Sequence, residues 1–174
     1  DGSNECTYVI EDSRLKINCP DNRDTGIIFE PSRTYARGLE IRGYLYTSNW
    51  YDGAPRQRLL YTDGSSLGNA WGPGGYGFYI SDPRDDEQGA SCPGDQCPWI
   101  SKDSHIMQVY GSNTQSGNYY LLVSQLLPAG SINYKLYRNS SLFCSISVND
   151  SDYQDAHIGV GNGDPVSREP DRFV

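Results

Sequence analysis

Two runs that alternate around a short polar turn narrow the fold of this chain more than any other stretch. Residues 132–148 hold them on either side of Arg138-Asn139-Ser140-Ser141. Strand side chains point to alternate faces, so a period of two marks a strand with one buried face. Two such runs about a polar turn predict a β-hairpin. In its second arm, Leu142, Cys144, Ile146 and Val148 share the apolar face, which predicts a buried, unpaired thiol at Cys144. An intermolecular disulfide is the competing reading, and it needs exposure.

Other segments carry the same signature. Residues 39–47 alternate strictly, with Leu39, Ile41, Gly43 and Leu45 on one face and Glu40, Arg42, Tyr44 and Tyr46 on the other. Strands are expected at 58–62, 77–81, 105–110 and 155–160. Residues 118–127 also fit a helical face, but their short length favours a strand. With 14 Tyr, 19 Gly and 10 Pro against one Met, the composition is that of strands and turns. Roughly ten short strands without an internal repeat predict an all-β, two-sheet antiparallel sandwich. The expected organisation is one domain over 1–174: an amino-terminal hairpin appendage (1–26), a core (27–164) and an irregular tail (165–174).

The cysteines point outside the cell. A hairpin centred on Asp12-Ser13 places Cys6 opposite Cys19 at a non-hydrogen-bonded position, where Cα atoms approach to about 4.5 Å, within disulfide range. Cys92 and Cys97 enclose four residues, so a local loop is the simplest pairing, although five cysteines allow others. Zinc is disfavoured by the lack of a C-x-x-C and by the separation of His105 from His157. Two N-glycosylation sequons, at Asn139 and Asn149, fall in turn-like positions. A secreted chain whose signal has been removed would begin as this one does. The expected location is therefore extracellular or at the cell surface.

The segment Leu127-Pro128-Ala129-Gly130, Tyr134 to Tyr137, Arg138-Asn139-Ser140-Ser141 and Leu142 to Asn149 resembles a recurrent stretch of the concanavalin A-like jelly rolls, which include laminin-G-like and pentraxin-like domains. Leu39 to Trp50, Leu59 to Asp82 and His157 to Gly161 resemble that superfamily's early, middle and closing strands. The resemblance covers about residues 27–164. Ser131, Ile132 and Asn133 depart from it where the family often has Trp and His. It implies a jelly roll and transfers no ligand, because the fold hosts lectins, glycan hydrolases and adhesion modules alike.

Several chemistries are excluded. A net charge of −8 without a basic run argues against nucleic acid. No apolar run approaches the ~20 residues of a membrane span. Glycoside hydrolysis needs paired carboxylates flanking the bond, and no strand carries such a pair. No Gly-x-Ser-x-Gly elbow exists, so no enzyme is expected. Calcium would suit two acidic loops, one with Asp82, Asp85 and Asp86 and one with Asp150 and Asp152; plain solvated loops are the competing reading. Trp50, Tyr51, Trp71, Tyr76 and Trp99 lie near loops and would suit sugar rings, or would cap the sandwich ends. The reading these features favour is a non-catalytic secreted glycoprotein, a structural or adhesive subunit associating with itself or with matrix or surface components. The tail at 166–174 would fray unless held, and the amino-terminal hairpin could reach a neighbour. A glycan-binding, lectin-like module with a calcium site is the alternative.

Overall fold

The computed structural model describes residues 7–11, 14–18, 25–47, 58–64, 74–80, 97–103, 105–115, 117–162 and 171–173. They form fourteen strands: β1 (Thr7–Glu11), β2 (Arg14–Asn18), β3 (Thr25–Phe29), β4 (Tyr35–Ala36), β5 (Leu39–Thr47), β6 (Arg58–Thr62), β7 (Gly75–Tyr79), β8 (Trp99–Lys102), β9 (His105–Val109), β10 (Asn118–Leu126), β11 (Ser131–Arg138), β12 (Ser141–Asn149), β13 (Asp155–Asn162) and β14 (Asp171–Phe173). The first sheet runs β1-β2-β14-β5-β10-β11-β12; the second runs β3-β13-β6-β7-β8-β9, with β4 also on β13. Every strand neighbour is antiparallel. This is the two-sheet antiparallel sandwich that the alternation predicts, consistent with the jelly roll that the resemblance implies.

The core lies between the sheets. Leu45, Tyr120, Leu122 and Leu136 from the first sheet meet Tyr61, Phe78 and Ile100 from the second, all fully enclosed. Tyr134 is wholly buried, and its hydroxyl donates to the Tyr79 carbonyl across the sandwich at 2.7 Å. In β10 the residues at 120, 122, 124 and 126 all point inward, which resolves the strand–helix ambiguity in favour of a strand.

The β11–β12 hairpin turns through Asn139 and Ser140, with φ of 50° and 63°. Two left-handed residues between the paired Arg138 and Ser141 make the two-residue turn whose twist matches that of the strands. One expectation here is overturned. The register passes from Leu136↔Cys144 to Tyr137↔Leu142, leaving Phe143 as an extra residue in a β-bulge. Phe143 therefore packs inward, edge-on to Tyr120 with centroids 5.6 Å apart, and Leu142 is 56% exposed. Cys144 stays inside as a free thiol, 1% exposed.

Both chain ends depart from the expected plan. Asp171–Phe173 is no loose tail, because it pairs with β2 on one side and β5 on the other. The amino-terminal hairpin is thereby built into the first sheet instead of hanging from it. Thr7↔Asn18 is its last described pair; Cys6 and Cys19 lie outside the described residues. The strand expected at 77–81 starts two residues earlier, at Gly75. A Cβ on Gly75 would stand 2.3 Å from the Tyr61 carbonyl oxygen, and its φ of +142° also favours glycine.

Candidate functional site

The two sheets differ in what they offer to solvent. Every residue of β6 and β7 is buried, on both faces. On β5, β10, β11 and β12 the outward side chains are exposed or partly so, with Val123 as the buried exception. Among the described residues, the broad open face is therefore the outer face of the first sheet.

Cross-strand register orders that face into rows. Tyr44, Leu121, Tyr137 and Leu142 form one row, with Tyr44 50% exposed and Leu121 between the two tyrosines. Tyr119 adds a further exposed ring on β10. The next row is Arg42, Val123, Lys135 and Ser145, and the third is Glu40, Gln125, Asn133 and Ser147. The third row is polar throughout and already ordered. Gln125 donates to Glu40 at 2.7 Å, Arg42 also donates to Glu40, and the Ser147 hydroxyl donates to Asn133 at 2.8 Å. The Gln125 hydrogen bond, then the Arg42 hydrogen bond, hold the Glu40 carboxyl below its ordinary range. The face thus carries exposed rings in one row and fixed amide, hydroxyl and carboxylate groups two rows away, with Arg42, Val123 and Lys135 between them. Strand alternation placed Tyr44 on the outward side of β5; the row it forms needs the register between strands, which a single sequence does not show.

A second polar cluster closes one end of the sandwich. Lys102 at the end of β8 donates to Asp150 at 2.7 Å and to Asp152. Asp150 also accepts from the Tyr76 hydroxyl and, at 3.0 Å, from the Asp152 amide. Burial works to raise the Asp150 carboxyl, but the Lys102 ammonium and Tyr76 hydroxyl outweigh it and hold it below its ordinary value. Hydrogen bonds to Asp150 and then Asp152 push the Lys102 ammonium upward. Arg37, 8% exposed, bonds three loop carbonyls: Leu127 at 3.1 Å, Asp152 at 2.9 Å and Ser131 at 3.5 Å. Asp103, in the β8–β9 turn, accepts from the Gly75 amide at 2.9 Å and from the Tyr153 hydroxyl. This cluster ties loops together.

These contacts change several expectations. Asp150 and Asp152 do not fit a calcium site, because an ammonium already holds both carboxylates. No group of three or more potential metal ligands occurs among the described residues. Tyr76 and Trp99 cannot take a sugar ring: they are 1% and 3% exposed, and Trp99 stacks on Tyr79 with centroids 3.7 Å apart. Trp50, Tyr51, Trp71, Asp82, Asp85, Asp86 and Cys92 lie outside the described residues. Cys97 is disulfide-bonded. Asn139 and Asn149 are both exposed, at the two ends of the edge strand β12; Asn149 accepts from the Ser131 hydroxyl at 3.1 Å. His157 is buried with Nδ1 2.8 Å from the Arg33 carbonyl, the place of an ordinary strand histidine. Among the described residues, no helix is long and apolar enough to cross a membrane.

No protein-family model and no curated protein matches the sequence. Solved structures do match the fold. The carbohydrate-binding module CBM66 from Bacillus subtilis superposes with a TM-score of 0.63 at 11% identity, covering 98% of this chain and 88% of its own. The exoplasmic/lumenal domain of VIP36, in a form bound to Ca2+ and Man3GlcNAc, has a TM-score of 0.66 at 9% identity, covering 99% and 82%. A legume lectin-like domain from Entamoeba histolytica has a TM-score of 0.58 at 15% identity, covering 99% and 85%. The fold is thus the concanavalin A-like jelly roll, and identities this low carry the fold alone.

Proposed function

We propose that this protein is a secreted, non-catalytic glycan-binding module whose ligand lies on the outer face of the first sheet. The row Tyr44–Leu121–Tyr137 and, across the intervening Arg42–Val123–Lys135 row, the polar row Glu40–Gln125–Asn133 carry this reading. Sugar C–H faces stack on aromatic rings while their hydroxyls need preset polar partners, and the two rows supply both. The carbohydrate ligands named for the structural neighbours support it. Among the described side chains, Glu40 is the only carboxylate on the face. One carboxylate cannot supply the pair that glycoside hydrolysis requires. The self-associating structural reading loses its main support, because the tail finds its partners β2 and β5 within the same chain. Two finer features belong to the proposal. N-glycans on Asn139 and Asn149 flank the open edge β12, where they would block edge-to-edge pairing. A Cys6–Cys19 disulfide extends the β1–β2 register by one pair. Calcium dependence rests on Asp82, Asp85 and Asp86.

A glycan array with the wild-type chain, with and without EDTA, tests the reading. Saturable binding that Tyr44→Ala and Gln125→Ala each weaken by about tenfold is expected, from the loss of one ring contact or one polar anchor. An array with no binding under either condition sinks it.

A further inference from the structure

We propose that Arg42 and Lys135 make the open face selective for sugars that carry a carboxylate, an inference that rests on the glycan-binding reading above. Register sets the two cations on either side of Val123. Neighbouring strands lie about 4.8 Å apart, so their backbones stand about 10 Å from each other. Val123 between them is 8% exposed, which makes the floor of the gap apolar. Long basic side chains can lie along such a floor and keep their charged ends in water. Glu40 takes the Nε of Arg42, whose side chain is still 67% exposed. That contact orients the guanidinium and leaves its two terminal nitrogens as a fork, the arrangement that matches a planar carboxylate. Lys135 feels the charge of Glu40, but among the described residues no carboxylate forms an ion pair with it.

The charge balance of the face reverses that of the chain. There are 22 Asp and Glu against 14 Lys and Arg overall, for a net charge of −8. On the open face, the described side chains Arg42 and Lys135 stand against Glu40 alone, and both Glu40 oxygens already accept hydrogen bonds. A positive patch on a negative molecule draws anionic ligands to one place and repels them elsewhere. A carboxylate attached directly to a pyranose lets the anion reach the Arg42 fork while the ring stays against Val123 and the tyrosine row. A sulfate ester carries its charge one bridging oxygen further out.

The test titrates the full chain calorimetrically with tetragalacturonate, with the same tetramer after its carboxylates are reduced to alcohols, and with a 6-sulfated galactose tetramer. The uronate is expected to bind at least about tenfold more tightly than the reduced tetramer, and the margin should shrink as salt rises. Arg42→Gln and Lys135→Gln should each weaken uronate binding more than binding of the reduced tetramer and so shrink that margin. Arg42→Lys should erase part of it, since charge remains and the fork is lost. Equal affinity for uronate and reduced tetramer overturns the inference and leaves the glycan-binding reading standing. Tighter binding of the sulfated tetramer overturns the choice of carboxylate. Failure of every tetramer to bind the wild-type chain overturns the glycan-binding reading itself.

Discussion

Arg37 is the residue whose replacement most directly tests how the loops of this sandwich are held. It is 8% exposed, and its recorded hydrogen bonds go to carbonyls and a tyrosine hydroxyl, with no carboxylate among them. Two of these bonds are well formed, at 3.1 Å to Leu127 and 2.9 Å to Asp152; those to Tyr76 at 3.3 Å and Ser131 at 3.5 Å are weaker. A hydrogen bond from a charged donor is worth about 1.5–3 kcal/mol, so removing two good ones would by itself cost about 3–6 kcal/mol. Two effects reduce this. Two of the three carbonyls keep a second donor, the Gly130 amide for Leu127 and the Leu127 amide for Ser131. Methionine also escapes the cost of burying a cation. Arg37→Met should therefore destabilise by about 2 kcal/mol, which lowers Tm by about 4–8 °C in a chain of this length. Arg37→Lys should be worse than Met, because a compact, strongly hydrated ammonium would be buried with fewer acceptors in reach. Denaturant unfolding of the three proteins at constant m gives the ranking Arg, Met, Lys. Wild-type stability in Arg37→Met would refute the role of the carbonyl contacts, and wild-type stability in Arg37→Lys would refute the need for the fork.

Three further outcomes follow from the packing. Burial raises the Cys144 thiol from 9.0 to about 12, so the folded state keeps a proton that the unfolded state gives up. The associated stabilisation, about 4 kcal/mol, is complete below pH 9.0 and is lost as pH rises to about 12. Cys144→Ala should lack that alkaline loss in urea titrations; an unchanged alkaline slope in the variant would refute it. A Cβ at Gly159 would stand 2.6 Å from the Ile27 carbonyl oxygen, so Gly159→Ala should cost about 1–3 kcal/mol. Gly111→Ala, with nothing within 4 Å, should be near neutral by the same denaturation assay. The Ser124 hydroxyl is buried with no hydrogen-bond partner among the described residues, and Ser124→Ala should raise stability by about 1 kcal/mol; a loss of stability in thermal melts would reveal a contact made by that hydroxyl.

What the sequence made legible follows the same physics. Strands β5, β11 and β12 alternate because one face is buried and the other wet, and that contrast is written into the residues. Trp99–Lys102 and Asp171–Phe173 are too short to carry a period, and each is defined by the strands that flank it. Tyr76 and Trp99 looked like loop aromatics because Gly and Pro surround them, yet they lie in β7 and β8 with both faces covered. The turn at Asn139-Ser140 was visible; the bulge that turned Leu142 outward was not, since an extra residue shows only against a partner strand. The candidate site was half legible. Tyr44 sat with Glu40 and Arg42 on one side of its strand, while Leu121, Gln125, Asn133 and Lys135 joined them only through register.

The contrast between the sheets explains why that register matters for function. In β6 and β7, Leu59-Leu60-Tyr61 and Gly75-Tyr76-Gly77-Phe78-Tyr79 leave no polar face, and small residues make room for large ones across the sheet. A Cβ on Gly77 would fall 2.5 Å from the Tyr79 ring, which itself stacks on Trp99. These two strands are committed on both sides and, among the described residues, offer no surface to a ligand. The first sheet commits only its inner face, so its outer face is free to carry rings, amides and opposed charge without disturbing the core. The alternation that makes these strands easy to read is thus also the mark of the surface on which selection for binding can act. Substitutions at Tyr44, Gln125 and Lys135 should then alter ligand affinity at nearly constant stability, whereas any polar substitution at Leu60 or Phe78 should unfold the chain first.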